Sequence, residues 1–195
     1  MEKVKLSAVV MASGHSKRFK GDKLTALVDG VPMIEKLFMA IPEDVFDAVA
    51  VVSRDEKILD IARSYGYRAV FNDDKTDDTA ITIRLGVENI SPDSAGCAFF
   101  VGDQPWLKGD TITSLAEKFY EDTSRICMLS HNGHKGNPVI FPAALLGELK
   151  TLLRNEQGKV VIRRHPELVV FKEVEDANEL RDIDYASYLN ISENT

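Results

Sequence analysis

Residues 9–24 read VVMASGHSKRFKGDKL, and this stretch decides how the rest of the chain is interpreted. An apolar run typical of a buried strand ends in small residues at 12–14. Arg18 and Lys23 then follow within one short loop. Small side chains let backbone N–H groups approach an anion closely, and two cations neutralise a polyphosphate. The stretch therefore predicts a loop that binds a nucleoside triphosphate, although a solvated loop would explain either cation alone.

The composition is typical of a single soluble domain over residues 1–195. Hydrophobic residues make up 44% and charged residues 28%, and no apolar run approaches the roughly 20 residues of a membrane span. Cys97 and Cys127 lie in apolar runs, where we expect small buried hydrophobes rather than a redox pair. With no secretory signal before the first strand, we expect a cytoplasmic protein that binds no membrane. The net charge of −7 argues against a nucleic-acid surface.

Strand and helix patterns alternate along the chain. The predicted strands are Leu6–Met11, Ala48–Val52, Arg68–Phe71, Cys97–Val101, Ile126–Leu129, Pro138–Phe141 and Leu168–Lys172. The predicted helices are Met33–Ala40, Glu56–Tyr65, one capped by Thr79 and running to Asn89, one from Asp110 or Thr111 to Tyr120, Ala143–Leu153, Lys159–Arg164 and Tyr185–Leu189. Cys97–Val101 is the most hydrophobic strand, and we expect it at the centre of the sheet. The order predicts an α/β fold of three α/β/α layers, Rossmann-like, with a mostly parallel sheet.

A second loop, Gly102-Asp103-Gln104-Pro105, follows that central strand. Ligands of open α/β sheets collect at the carboxyl ends of the strands, so this loop should lie near Lys23. An unpaired carboxylate at the end of a buried strand is costly, and coordination of a divalent cation would explain Asp103. A turn residue before Pro105 is the other explanation. Together, the two loops favour a cation at Asp103 that bridges phosphate oxygens opposite Arg18 and Lys23.

Two common nucleotide-binding motifs do not fit the first loop. Phe19 stands where the second glycine of G-x-x-x-x-G-K-[ST] would be, which argues against a P-loop NTPase. No G-x-G-x-x-G follows the first strand, which argues against a dinucleotide-dependent oxidoreductase.

Met11 to Lys23 resembles the L-A-A-G-x-S-x-R-x-G-x-x-K signature of sugar-nucleotide-type nucleotidyltransferases. The branch it resembles most is the molybdenum cofactor cytidylyltransferases, within the MobA/MocA-like nucleotidyltransferase family. Later segments also resemble family motifs, in the same order: Thr82-Ile83-Arg84-Leu85-Gly86 is similar to S-L-R-x-G, Gly102-Asp103-Gln104-Pro105 to G-D-x-P, Lys135-Gly136-Asn137-Pro138-Val139-Ile140-Phe141 to G-x-P-V-x-F, and Leu180-Arg181-Asp182-Ile183-Asp184 to a D-I-D segment.

The resemblance implies a role for each matching residue. Ala12, Ser13 and Gly14 would contact the nucleotide through their backbone, Arg18 and Lys23 would bind its phosphates, Thr82 would lie by the base or ribose, Asp103 would hold Mg²⁺, and Asn137 and Asp184 would bind the acceptor. Arg18, Lys23 and Asp103 would thus form the catalytic set. The nucleotide would occupy the part over about 1–105, and the acceptor the part over about 106–195.

The resemblance also implies a reaction, the transfer of CMP from CTP to the terminal phosphate of molybdopterin-bound molybdenum, with release of pyrophosphate. The chain would act as a monomer or weak homo-oligomer and pass its product to a molybdoenzyme or an insertion chaperone. Two alternatives stay open. One is a related nucleotidyltransferase that uses GTP or another acceptor, such as a sugar or alcohol phosphate; the other is a carrier or chaperone of the modified cofactor that performs no chemistry.

Three positions depart from the family pattern. Ser13 replaces the second alanine, and since it stays small where the guanylyltransferase branch has glycine, it leans toward cytidine. Lys20 stands at a glycine position with Gly21 displaced by one, and Asp78 occupies the place of a glycine before the Thr82 segment. His131 and His134 have a metal-like spacing, but in a Gly-rich hairpin we expect surface residues.

Overall fold

The computed structural model describes residues 4–15, 19 and 22–184. Among them are nine strands: β1 (Leu6–Ala12), β2 (Leu27–Val28), β3 (Val31–Pro32), β4 (Ala48–Ser53), β5 (Arg68–Phe71), β6 (Gly96–Val101), β7 (Ile126–His131), β8 (His134–Pro142) and β9 (Val169–Glu173). The helices of the same residues are α1 (Met33–Ala40), α2 (Glu56–Ser64), α3 (Thr79–Glu88), α4 (Gly109–Glu121), α5 (Ala143–Lys150) and α6 (Lys159–Arg164). The predicted helix Tyr185–Leu189 lies outside the described residues.

Seven strands form one sheet in the order β5-β4-β1-β6-β8-β7-β9. The first four of these strands are parallel, β8 runs antiparallel to both of its neighbours, and β9 pairs parallel with β7. The mostly parallel sheet is therefore confirmed, and so is the position of the hydrophobic strand β6 at its centre. β2 and β3 form a separate two-stranded hairpin.

Helices cover both faces of the sheet. On one face, α1, α2 and α4 pack their apolar side chains against alternate residues of the central strands, such as Ala8 and Val10. On the other face, α3, α5 and α6 pack against the residues between them, such as Val9 and Phe99. Burial on both faces explains why the central strands read as continuous apolar runs rather than as an alternating pattern. The predicted three-layer architecture is confirmed.

The hairpin predicted between β7 and β8 is confirmed, and its strands are longer than predicted. Asn132 and Gly133 form the turn with φ of 49° and 82°, the left-handed pair that a tight hairpin requires. His134 is exposed, and Nδ1 of His131 lies 2.8 Å from the Val174 carbonyl oxygen. In the described part of the chain neither histidine belongs to a group of three or more metal-ligating side chains. His134 therefore lies on the surface, as expected, whereas His131 is half-buried.

The start of α3 corrects one sequence prediction. Asp78, not Thr79, is the N-cap, and its Oδ1 accepts a hydrogen bond of 3.0 Å from the Ala80 N–H. Asp is a strong N-cap because its carboxylate satisfies an N–H that has no partner within the helix. Across the residues that are described, no helix is long and apolar enough to cross a membrane.

Candidate active site

The carboxyl ends of β1 and β6 lie side by side, as predicted. The two strands pair in parallel with Met11 opposite Val101, and the Gly102 N–H donates to the Met11 carbonyl at 3.1 Å. The loop after Ala12 and the loop that holds Asp103 therefore leave the sheet at the same edge. β4 ends at the same edge, because its Ser53 pairs with Ala12.

A cavity of about 520 Å³ opens at this edge. It contains seven of the predicted site residues: Ala12, Ser13, Gly14, Lys23, Thr82, Asp103 and Asp184. Arg18, the eighth residue expected here, lies outside the described residues, as do Lys20 and Gly21. We refer to this space as the first cavity.

Lys23 and Asp103 form the central ion pair of the first cavity. Lys23 begins a short 3-10 helix, Lys23–Thr25, and is only 8% exposed. Its Nζ donates to Asp103 Oδ2 at 2.6 Å and lies 3.6 Å from Asp184 Oδ1. A buried lysine is stable only when its charge is paired, so both carboxylates stabilise the charged amine. Lys23, Asp103 and Asp184 together place one positive and two negative charges beside the ends of β1 and β6.

The backbone of the last described segment is fixed to the Asp103 loop. The Ile183 N–H donates to the Asp103 carbonyl at 3.1 Å, and the buried Gln104 side chain donates to the Leu180 carbonyl at 3.1 Å. Ile183 itself is fully buried against Met33 and Phe19. A buried Ile183 between two aspartates anchors the segment, so the flanking carboxylates of Asp182 and Asp184 can both line the cavity.

Asp182 also lines the first cavity, and the pKa of its carboxyl is raised. The residue was not among the predicted site residues. Although the residue is exposed to the cavity, desolvation by the surrounding protein is the first cause that raises the pKa of its carboxyl to about 6. The negative charge of Asp103 is the second cause, while a hydrogen bond from Gln104 acts in the opposite direction. The alternation of polar and apolar residues at 182–184 was the available signal.

The donor set at the Lys23–Asp103 pair fits a magnesium ion. Asp103, Asp182 and Asp184 offer hard carboxylate oxygens, the ligands that Mg²⁺ prefers. Residues 4–15, 19 and 22–184 contain no preassembled group of three or more metal-ligating side chains. A cation held by these carboxylates would therefore need further oxygen ligands, such as those of a substrate phosphate.

The Ser13 side chain fastens the first loop to the neighbouring strand. Ser13 is 4% exposed, and its hydroxyl donates to the Val52 carbonyl at 3.1 Å. In return, the Ser53 hydroxyl donates to the Ala12 carbonyl at 2.9 Å. These reciprocal bonds use the hydroxyl of Ser13 within the fold. The Ser13 hydroxyl is therefore not free to bind a ligand. The groups of Ser13 that remain for a ligand are those of its backbone, the contact that the resemblance implies.

The Thr82 segment divides into residues with different roles. Thr82 is 5% exposed, faces the first cavity and accepts a hydrogen bond of 3.4 Å from the Asn72 amide. Gly86 lies against β1, where a Cβ atom would stand 2.4 Å from Cγ1 of Val9. Arg84 instead donates to the Lys150 carbonyl at 3.2 Å, on the surface between α3 and α5. Only Thr82 of this motif reaches the first cavity.

Sequence reasoning missed Arg54, which follows β4 and also lines the first cavity. Its Nη2 donates to the Thr76 carbonyl at 2.8 Å, and its Nη1 lies 2.6 Å from Nε2 of His15. Its Nε is a buried side-chain nitrogen with no hydrogen-bond partner among the described residues. The rule that ligands gather at strand ends could have found it, because β4 ends next to β1. Arg54 adds a cation to the wall of the cavity.

A second cavity of about 450 Å³ adjoins the first. Its floor is largely apolar and includes Phe99, Met128 and Phe141, while Asn137 and Lys159 contribute polar groups. Five residues line both cavities: Met11, Thr79, Val101, Gln157 and Asp182. Asn137 and Asp184, predicted together as acceptor residues, therefore lie in different cavities.

Trp106 follows the Asp103 loop and packs against the small cluster of Phe19, Val28, Met33 and Ile183. Trp106 lines neither of the two cavities. This packing anchors the Asp103 loop to the cluster.

The mostly parallel sheet carries at its carboxyl edge a small-residue loop, the Lys23–Asp103 ion pair and a polar cavity, an arrangement that the resemblance to nucleotidyltransferases implies. Residues 8–169 match the MobA-like NTP transferase domain, and the chain belongs to this family.

Known proteins agree with this assignment. A nucleotidyl transferase from Methanothermobacter thermautotrophicus superposes with a TM-score of 0.82 at 22% identity, covering 97% of this chain and 96% of that one. A CMP:2-keto-3-deoxy-manno-octonic acid synthetase complexed with CTP superposes with a TM-score of 0.76 at 13% identity and 95% coverage of each chain. The bifunctional protein GlmU of Caldicellulosiruptor saccharolyticus is 24% identical over 192 residues, 92% of this chain, which spans only 41% of that protein's length.

Proposed function

We propose that the chain transfers CMP from CTP to the terminal phosphate of a molybdopterin-type acceptor and releases pyrophosphate. The observation that carries the proposal is the Lys23–Asp103 pair at the floor of a polar cavity, at the joined ends of β1 and β6. The motif resemblance at Ala12 to Lys23 and the CTP-bound enzyme of the same fold support cytidine as the base. Ser13 supports it as well, because the guanylyltransferase branch of the family it resembles has glycine at this position.

In the proposed reaction, an oxygen of the acceptor phosphate attacks the α-phosphorus of CTP. The bond from that phosphorus to the oxygen bridging the β-phosphate breaks, and pyrophosphate leaves with the electron pair. Neither step needs a covalent enzyme intermediate, because positioning and charge stabilisation carry phosphoryl-type transfers. Lys23, together with Arg18, neutralises the charge that builds on the leaving pyrophosphate.

Asp103 would hold Mg²⁺, with Asp184 beside it. When bound, the ion supplies positive charge to the triphosphate oxygens. The backbone of Ala12, Ser13 and Gly14 would orient the nucleotide, and Thr82 would lie by its base or ribose. The contrast between the polar first cavity and the apolar floor of the second supports a nucleotide in the first and the body of the acceptor in the second.

The second cavity also supports the choice of acceptor. A pterin ring can bury its faces against Phe99, Met128 and Phe141, while polar lining residues such as Asn137 and Gln157 can bind the polar groups at its edge. Asn137 and Lys159 at the polar side would meet the phosphate. We expect the enzyme to act in the cytoplasm and to deliver its product to a molybdoenzyme or insertion chaperone.

Pyrophosphate release tests the proposal. The chain is incubated with Mg²⁺, each of CTP, GTP, ATP and UTP in turn, and either molybdopterin-type cofactor or a sugar phosphate. We expect release with CTP and the pterin acceptor. Release with GTP but not CTP would contradict cytidylyl transfer, and release with a sugar phosphate alone would contradict the acceptor. Tight binding of the nucleotide-modified cofactor without any release would identify a carrier.

A further inference from the structure

The loop of residues 151–158, which joins α5 to α6, reaches the boundary between the two cavities. Gln157 of this loop is one of the five residues that line both. The other four belong to β1, β6, the start of α3 and the segment of residues 180–184 that is hydrogen-bonded to the Asp103 loop. Gln157 therefore brings the loop between α5 and α6 to the boundary of the two cavities.

Asp78 fastens this loop to the nucleotide-binding half. Its Oδ1 accepts from the Asn155 N–H at 3.1 Å as well as from the Ala80 N–H at 3.0 Å. Asp78 is only 4% exposed; its bond from Ala80 is buried, and its bond from the exposed Asn155 is part-buried. One carboxylate thus caps α3 and holds a loop 77 residues further along the chain.

The backbone conformation and the internal hydrogen bonds of the 151–158 loop place the Asn155 N–H against Asp78. Asn155 has a φ of 65°, the left-handed conformation that Asn adopts more readily than most residues. The Leu153 N–H donates to Glu156 Oε2 at 2.8 Å, and the Glu156 N–H returns a bond of 3.0 Å to the Leu153 carbonyl. The pKa of Asp74 is lowered first by hydrogen bonds from Thr76 and further by the charge of Arg154. The charge of Arg154 therefore adds attraction between the 151–158 loop and the segment just before Asp78, which contains Asp74.

We propose that Asp78 is a positioning residue that holds the 151–158 loop, and that Gln157 of this loop contacts both nucleotide and acceptor where the two cavities meet. The inference rests on the proposed function for its substrates. Gln157 suits the boundary because its amide carries both donors and an acceptor and no charge. It can bind polar groups of either substrate without repelling phosphate. Asp78 thereby has a role at the position where the family pattern has glycine.

The positioning step is tested by amide hydrogen exchange, without substrates. In Asp78→Ser the hydroxyl still caps α3, since Ser is a good N-cap, but it is too short to reach Asn155. We expect exchange across 153–157 to quicken by about tenfold or more while the amides at 80–83 stay protected. Asp78→Asn keeps the accepting oxygen and should restore the protection. Unchanged exchange across 153–157 in Asp78→Ser would overturn the positioning role.

The contact of Gln157 is tested by steady-state kinetics with CTP, Mg²⁺ and the pterin acceptor. Gln157→Ala should raise KM for both substrates by about three- to tenfold with kcat nearly unchanged, because it removes binding that ground state and transition state share. Asp78→Ser should raise both KM values in the same way. Lys150→Ala, an exposed residue on α5 outside both cavities, is the matched control and should retain both KM values.

The outcomes separate this inference from the proposed function. KM values that stay unchanged in Gln157→Ala, in an enzyme that turns over CTP, would overturn the contact and leave the proposed function standing. A wild-type chain that turns over no nucleotide would overturn both the function and the contact. The exchange result would still decide whether Asp78 holds the loop.

Discussion

Nζ of Lys23 lies 2.6 Å from Oδ2 of Asp103, joining two loops that are 80 residues apart in sequence. The pair is possible because β1 and β6 are neighbours in the sheet and end at the same edge. Neither residue has a packing role that would require a charge there. Substitutions of these two residues should therefore change nucleotide binding and the rate of transfer more than they change the stability of the fold.

Lys23→Ala should weaken the binding of the triphosphate. It removes a charge-assisted contact to phosphate, and such contacts are worth about 1.5–3 kcal/mol, so Kd for CTP should rise about 10- to 100-fold. Isothermal titration calorimetry with Mg²⁺ present measures the change, and Lys150→Ala serves as the control. Unchanged CTP affinity in Lys23→Ala would remove Lys23 from the site.

Asp103→Ala should lower the rate of transfer at least about a hundredfold, since electrostatic stabilisation at the reacting phosphate is lost. The temperature of unfolding should change little, because Asp184, whose Oδ1 lies 3.6 Å from Nζ of Lys23, still pairs with the buried lysine. Asp103→Asn keeps the shape and should fail equally, whereas Asp110→Asn, an exposed carboxylate, should not. A fully active Asp103→Ala enzyme would show that Asp103 holds no metal ion that the reaction needs.

Asp182→Asn should stabilise the metal-free protein above neutral pH. The folded protein raises the pKa of Asp182 to about 6, first by desolvation and then through the charge of Asp103, so the carboxylate is less favourable folded than unfolded. A raised carboxyl pKa contributes stability at low pH that is lost as pH rises through about 6.

The melting temperature of Asp182→Asn should therefore exceed that of the wild type by about 2 °C near pH 8 and equal it near pH 4. Water from the cavity screens the group, which keeps the effect small. Scanning calorimetry at the two pH values measures it. An advantage of the same size at both would mean that ionisation of Asp182 is not its cause.

Gly86→Ala should destabilise the fold by about 1–3 kcal/mol, as overpacking in cores does. The added Cβ would stand 2.4 Å from Cγ1 of Val9, so α3 would have to move away from β1. Gly147→Ala on α5 is a matched control, because its Cβ would meet no atom within 4 Å. That variant should gain about 0.5–1 kcal/mol from helix propensity. Urea unfolding measures both changes in stability. Equal changes in the two variants would mean that the contact with Val9 does not determine the effect of Gly86→Ala.

Several parts of the fold could be predicted from the sequence, because the local residue patterns favour the same structure as the packing of the whole fold. The run Cys97–Val101 is apolar throughout, as a strand covered on both faces must be, and it is the central strand β6. The Asn132-Gly133 pair fixed a tight hairpin. Lys23 and Asp103 could be placed together because strand ends of a parallel sheet share one edge.

Other parts depend on contacts between distant segments, which no local pattern carries. Asp78 looked like a departure from a glycine of the base-binding segment, and its bond to Asn155 across 77 residues shows that it holds two elements together. Arg54 and Gln157 lie in loops whose sequences carry no motif. Thr79 was a reasonable cap by residue type, but Asp78 has the extended backbone, with φ of −89° and ψ of 108°, that an N-cap needs. The Arg18 prediction falls outside the described residues and stays a prediction.

A calorimetric titration of the wild-type chain with CTP and with GTP, each with and without Mg²⁺, tests the central claim most directly. We expect CTP to bind at least about tenfold more tightly than GTP, and Mg²⁺ to strengthen the binding of CTP. Tighter binding of GTP would contradict the cytidine assignment. Nucleotide binding that is indifferent to Mg²⁺ would contradict the role given to Asp103.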